Sequence, residues 1–208
     1  MRAAAQLPPG RHGLSREEVA RSQRERILRA IAEAVSEKGY VMTSVADVLG
    51  RAGVSRETFY EHFANKQECF LAAYDACADV LLESVQDAVR SAPATDGIAE
   101  RLERLLARYL EVLAKEPAIA HTFLVDVYAA GATALARRAE VQSRFVAMLA
   151  KMVGAVDPHD RFACEALVAA ISALVTQRVC AGRSHELEKL HAPLVRFARG
   201  SLWARELI

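Results

Sequence analysis

An all-α fold is predicted for this chain on three observations. Apolar residues recur at helical spacing from Ile27 to the C-terminal end. Residues that start helices (Ser15, Ser44, Ser55, Asn65, Asp157) precede these runs, and Gly or Pro closes most of them. No alternating strand pattern, hairpin signal or internal repeat stands out. At 208 residues, 52% of them hydrophobic and 25% charged, the chain has an ordinary globular composition. It is long enough for one large domain or two small ones.

The elements follow in order. Met1–Leu14 holds Pro8-Pro9-Gly10 and Gly13, and reads as an extended, flexible arm. Ser15 with Glu18 forms a capping box that opens the first helix. Its apolar stripe is Ile27, Ile31, Ala34 and Val35, and Lys38-Gly39 ends it. Thr43 or Ser44 caps a second helix, with Asp47 three residues after Ser44 and Gly53 at its end. Gly50 reads as a close approach between helices, where a bulky residue should clash. Ser55 caps a short third helix that runs to about His62.

Asn65 opens a long fourth helix striped by Phe70, Tyr74, Cys77, Leu81 and Val85, which stops near Pro93. Five further helical segments follow: Asp96–Glu116, Ala118–Tyr128 after Pro117, Thr133–Val153, Asp157–Ala181 and Ser184–Trp203. Three regions result: the arm at 1–14, a helical unit at 15–65 and a larger helical unit at 66–208.

The net charge of +1 is uninformative, but its distribution is not. Residues 1–66 hold eleven Lys/Arg against eight Asp/Glu, and the remainder sixteen against eighteen. The basic end is the footprint expected of nucleic-acid contact. No stretch of about 18 uninterrupted apolar residues occurs, so no transmembrane helix and no membrane partner are expected. The first residues lack a signal-peptide core, which points to the cytoplasm. Cys69, Cys77, Cys164 and Cys180 show neither a CxxC pair nor metal spacing and read as reduced thiols. No nucleophile elbow, zinc motif, GxGxxG or P-loop occurs, so no cofactor, metal or catalytic residue is expected.

Thr43–Lys66 carries the function. Two helices around a tight turn containing Gly53 describe a helix-turn-helix. The second helix of such a unit lies in the major groove, with its N-terminal residues at the base edges. Here those are Ser55, Arg56, Glu57 and Thr58. Arg can pair bidentately with guanine, Glu can accept from cytosine, and a Thr methyl can meet thymine's methyl. Phe59 and Phe63 face inward. Tyr60, His62 and Lys66 have donors suited to phosphates, and Thr43 and Ser44 can offer hydroxyl and backbone N–H groups to another. Arg2, Arg11, His12 and Arg16 make the arm a candidate minor-groove contact.

Arg24-Glu25-Arg26-Ile27, Glu37-Lys38-Gly39-Tyr40, Thr43-Ser44-Val45, Ala52-Gly53-Val54-Ser55, Thr58-Phe59-Tyr60-Glu61-His62-Phe63 and Lys66 resemble the DNA-binding domain of TetR-family transcriptional regulators. The resemblance covers about residues 22–75. It implies base reading at Ala46, Arg56, Glu57 and Thr58, with Ala46 limited to an apolar contact. It implies phosphate contacts at Thr43 or Ser44, Tyr60, His62 and Lys66. It also implies an effector pocket behind the fourth helix, for which Tyr74, Cys77, Leu106, Tyr109, Phe123, Phe145, Met148 and Met152 are candidate lining residues. These are mostly apolar or aromatic, so a lipophilic or aromatic small molecule is expected. His121, Asp126, Arg144 and Glu165 could orient a polar group on it.

The last two helices are implied to pair with their copies in a homodimer, through Ala170, Ala173, Leu174, Leu190, Leu194 and Phe197. Two reading heads then call for a palindromic operator on double-stranded DNA. The function so implied is a repressor released by its effector. An activator or effector-independent binder of the same fold is the alternative, and an all-α enzyme or carrier the remoter one.

Overall fold

The computed structural model describes residues 15–202. The expectations for Arg2, Arg11 and His12, and the end of the last helix at Trp203, lie outside these residues. Nine α-helices form the described chain: α1 Arg16–Met42, α2 Val45–Ala52, α3 Arg56–His62, α4 Lys66–Arg90, α5 Ile98–Lys115, α6 Pro117–Leu124, α7 Ala132–Val153, α8 Pro158–Cys180 and α9 His191–Leu202. Short 3₁₀ segments at Asp126–Tyr128 and Ser184–Leu190 join the later ones.

Local chemistry sets the early boundaries. Ser15, Ser44, Ser55 and Asn65 each accept the backbone N–H three residues on, satisfying a donor that the helix start would otherwise orphan. Gly39, at φ 80°, interrupts α1 as expected, but one more turn runs on to Met42. Gly53, at φ 61°, closes α2 in the left-handed region that a side chain rarely adopts. Gly50 does not mark a close approach: a Cβ there would meet nothing within 4 Å, and the clash expected from sequence is absent.

The α1–α3 head packs on α4 around Ile27, Ile31, Val48, Phe59, Phe63 and Phe70, all buried. At about 1.5 Å per residue, the 25 residues of α4 carry this core into the body, where α4 packs on α5, α6 and α7. The segment expected as one helix from Ser184 to Trp203 divides at Leu190, and α9 starts at His191. Pro193 explains the break, because proline is tolerated only in a helix's first turn. Similarly, Ala118–Tyr128 is a helix to Leu124 followed by a 3₁₀ turn.

By length and composition alone, α8 is apolar enough to cross a membrane, and only part of its most apolar stretch is buried. The helix still contains no run of about 18 uninterrupted apolar residues, and an average hydropathy of this kind is also met by core helices of globular proteins. Charged residues interrupt α8 without lowering its average enough.

Candidate nucleic-acid interface and effector cavity

The turn at Gly53 aims α3 outward. Phe59 and Phe63 are buried beneath it, 5.8 Å apart between ring centres, and fix its inner face. Ser55, Arg56, Glu57, Tyr60 and Glu61 are exposed on the other face, and Thr58 is half-buried. Ser55 Oγ accepts the Thr58 N–H at 3.0 Å and lies 3.0 Å from its hydroxyl, so the first turn is rigid. Arg56 forms no ion pair among the described residues; its guanidinium lies over the Tyr60 ring at 6.0 Å. Its fork of donors is free for an acceptor such as a guanine edge. Ser44 and Ala46 are exposed at the start of α2. Ser44 Oγ and Asp47 satisfy each other's backbone N–H, and Lys38 sits 2.6 Å from the Asp47 carboxylate. These contacts, the Lys38 and Ser44 hydrogen bonds foremost, hold the Asp47 carboxyl far below the usual range.

Three expected phosphate contacts are placed differently. Thr43 is buried, and its hydroxyl donates to the Gly39 carbonyl at 2.9 Å, which ties off the end of α1. Lys66 Nζ donates to the carbonyls of Tyr40 (2.9 Å) and Thr43 (2.8 Å) and rests 4.3 Å from the Tyr40 ring centre. Its burial lowers its pKa. Lys66 is thus a brace between α4 and the α1–α2 loop: it adds a charged donor to the Tyr40 carbonyl, which also accepts the Thr43 N–H at 3.3 Å, and to the Thr43 carbonyl just past the helix end. His62 is half-buried and its Nε2 is buried without a partner, so that nitrogen does not face phosphate. Arg16 is exposed at the first turn of α1.

Two bonds tie the end of α1 and the start of α4 to the segment after α6. The Tyr40 N–H donates to Asp126 Oδ1 at 3.0 Å, and Gln67 Nε2 donates to the Ala130 carbonyl at 2.8 Å. Asp126 is buried and its second oxygen has no partner. Burial raises its pKa against the opposing pull of the Tyr40 N–H and His121.

In the body, Leu106, Tyr109, Phe123, Phe145 and Met148 of the suggested lining surround one apolar cavity of about 50 Å³. Tyr74 and Cys77 do not line it; Tyr74 is buried behind it, stacked on Phe123 at 5.5 Å. Met152 lines an outer groove instead. Gln142 and Ser172, which sequence reasoning missed, are the polar residues of the cavity wall. The four suggested orienting residues are elsewhere: Arg144 pairs with Asp79 at 2.7 Å, Asp126 holds Tyr40, and neither His121 nor Glu165 lines the wall. Burial pushes the Cys69 and Cys77 thiols up to about 12, so they stay protonated core residues.

On the last helices, Leu190 and Leu194 are buried within their own chain, which corrects their expected place in a dimer seam. A stripe does not reveal whether its partner is the same chain or a copy. Ala173, Leu174 and Phe197 remain exposed, and Ala170 is half-buried. Phe162, 66% exposed, extends this face and was missed. Its signal was the register Phe162, Ala166, Ala169, Ala173 along one side of α8.

Comparison with known proteins matches residues 27–73 to the model of bacterial regulatory proteins of the tetR family. The HTH-type transcriptional activator FasR of Mycolicibacterium smegmatis is 33% identical over 69 residues, 33% of this chain and 32% of that protein. The HTH-type transcriptional regulator YvdT of Bacillus subtilis is 36% identical over 66 residues, 32% of each. The chain therefore spans about a third of the length of these curated relatives. The fold match is wider. The fatty acid degradation regulator FadR of Bacillus halodurans superposes with a TM-score of 0.76 at 18% identity, covering 86% of this chain and 96% of that one. FadR of Bacillus subtilis, solved with stearoyl-CoA, gives 0.70 at 16% identity, covering 84% and 96%.

Proposed function

We propose that the chain is a homodimeric, effector-responsive repressor of the tetR family, whose model its residues 27–73 match. One observation carries the DNA reading: an α3 whose inner face is locked by Phe59 and Phe63 presents an unpaired Arg56. The curated relatives are named as regulators, so the enzyme alternative falls. FasR is named an activator, which favours activation as the second reading. The position of the operator relative to the promoter decides between the two.

The exposed face of Phe162, Ala173, Leu174 and Phe197 supports pairing with a second copy, since apolar patches on monomers rarely stay uncovered. The same pairing accounts for the weakly buried α8 without a bilayer. A two-fold dimer then reads a palindromic site.

The effector enters the cavity under Phe123 and Phe145. Small-molecule pockets measure roughly 300–1,000 Å³, so the cavity must open several-fold. Met148 is a suitable wall for that because an unbranched thioether repacks easily. An acyl chain suits the lining, and FadR of Bacillus subtilis, similar in fold, was solved with such a ligand. Opening beneath Phe123 would strain α6 and the Asp126–Tyr40 bond just beyond it, shifting the head toward a geometry that no longer fits the operator.

Selection of bound DNA from a random pool, followed by Arg56→Ala on the selected site, tests the DNA reading. A loss of about 1–3 kcal/mol confined to the selected site is expected. Equal loss on random DNA would refute sequence reading by Arg56.

A further inference from the structure

We infer that the groove between the end of α4, the start of α5 and the second half of α7 is a headgroup site for an anionic amphiphile. The inference rests on the reading of the inner cavity as an effector site, and names the ligand's other end.

The groove has a volume of about 970 Å³, far larger than the cavity. The two are neighbours, because Leu105 and Met148 line both. An apolar chain entering past these side chains passes from a wide mouth into an apolar interior. Both can yield by rotamer change, and Met152 on the groove side adds a second adaptable thioether.

The rim carries the charge. Arg90, Arg101, Arg144 and Lys151 line the groove against one carboxylate, Asp96. Asp96 is already paired with Arg104 at 2.7 Å, so it does little to neutralise the rim. Arg90 is paired with Asp87, and Arg144 with Asp79. Arg101 and Lys151 form no ion pair among the described residues; the Arg101 Nε–H donates only to the Asp96 backbone carbonyl. Two uncompensated cations therefore stand at the mouth of an apolar path.

A purely polar anion would gain nothing from the floor beneath them. A neutral lipophile would gain nothing from the rim. An acyl chain ending in a carboxylate, or in a phosphate-bearing carrier, uses both, since guanidinium and ammonium groups pair well with either oxyanion.

The test measures binding of dodecanoyl-CoA, dodecanoate and dodecanol to the full-length protein at low and high salt. Lys151→Glu and Arg101→Gln are the variants; Gln keeps an N–H for the Asp96 carbonyl, and melting curves verify both folds. Both anions are expected to bind more tightly than the alcohol, and salt should narrow the gap. Lys151→Glu should weaken the anions about tenfold, the scale of reversing one exposed charge pair, and leave the alcohol unchanged. A larger loss for dodecanoyl-CoA than for dodecanoate identifies the phosphate-bearing head, and an equal loss the carboxylate. Equal binding of all three probes, unmoved by the variants, would overturn the headgroup site and leave the cavity standing. Loss of dodecanol binding in both variants would make the groove a structural support and overturn the headgroup role. Failure of every probe to bind would remove the effector cavity and the headgroup site together.

Discussion

Helices α1 to α4 each begin with a side-chain cap, whereas of the body helices that follow, α5, α6 and α7 begin with none and α8 with Asp157. Around α6 the buried Tyr74 hydroxyl, Thr122 Oγ1 and Asp126 Oδ2 lack partners. Thr176 Oγ1 in α8 and, in the head, Arg26 Nε and His62 Nε2 are in the same state, but these are scattered where the first three are clustered. The difference lies in the cavity of the body and in the three orphaned groups gathered around α6, which a second arrangement of the body could satisfy. Rigid reading and adaptable sensing ask for opposite degrees of completion.

The largest break in this comparison should come from Phe59→Ala. Phe59 is fully buried under α3, and truncating such a side chain typically costs about 3–5 kcal/mol. DNA binding should vanish while the proposed dimer persists in sedimentation. Loss of the dimer as well would show head and body folding as one cooperative unit through the core that runs between them.

Lys66→Met tests the brace. It removes a charged donor from two carbonyls, of which Tyr40's keeps the Thr43 N–H. A stability loss of about 2–3 kcal/mol is expected in urea denaturation, because hydrogen bonds to charged groups are worth more than neutral ones. The salt slope of operator binding should stay unchanged. A slope reduced by about one would restore the phosphate role expected from sequence.

Much of the head was legible in the sequence because caps and glycines act within a few residues. Ser15 with Glu18, Ser44 with Asp47, and Gly53 fix boundaries by local chemistry, and the structure repeats them. Lys66, Thr43, Leu190 and Leu194 were misplaced for a different reason. Their partners lie at long sequence range or on a neighbouring helix, and residue type alone does not say which way a side chain turns. Gln142 was missed because it is polar in an apolar wall.

Asp126→Asn probes the junction with a smaller effect. Burial raises this carboxyl's pKa in the folded state above its unfolded value of about 3.9. Its contribution to stability is therefore fully present below that unfolded value and lost as pH rises through the folded one. At neutral pH the ionised group is a cost. Asparagine keeps an acceptor for the Tyr40 N–H and cannot ionise. A gain of up to about 1 kcal/mol at pH 7 is expected, together with a flatter stability profile above pH 4. A variant that follows the wild-type profile would mean that Asp126 does not titrate as burial dictates.

Gly50→Ala should give the smallest change, and one opposite in sign to the sequence expectation. Gly50 is exposed in α2, and an added Cβ meets no atom within 4 Å. Glycine inside a helix wastes conformational entropy in the unfolded chain, and alanine recovers about 0.4–1 kcal/mol where the backbone is compatible. The melting temperature should rise and operator affinity should hold. A loss of stability would mean that α2 packs more closely in solution than this structure has it. A loss of affinity alone would place Gly50 against DNA, where backbone approach and not helix packing requires the missing side chain.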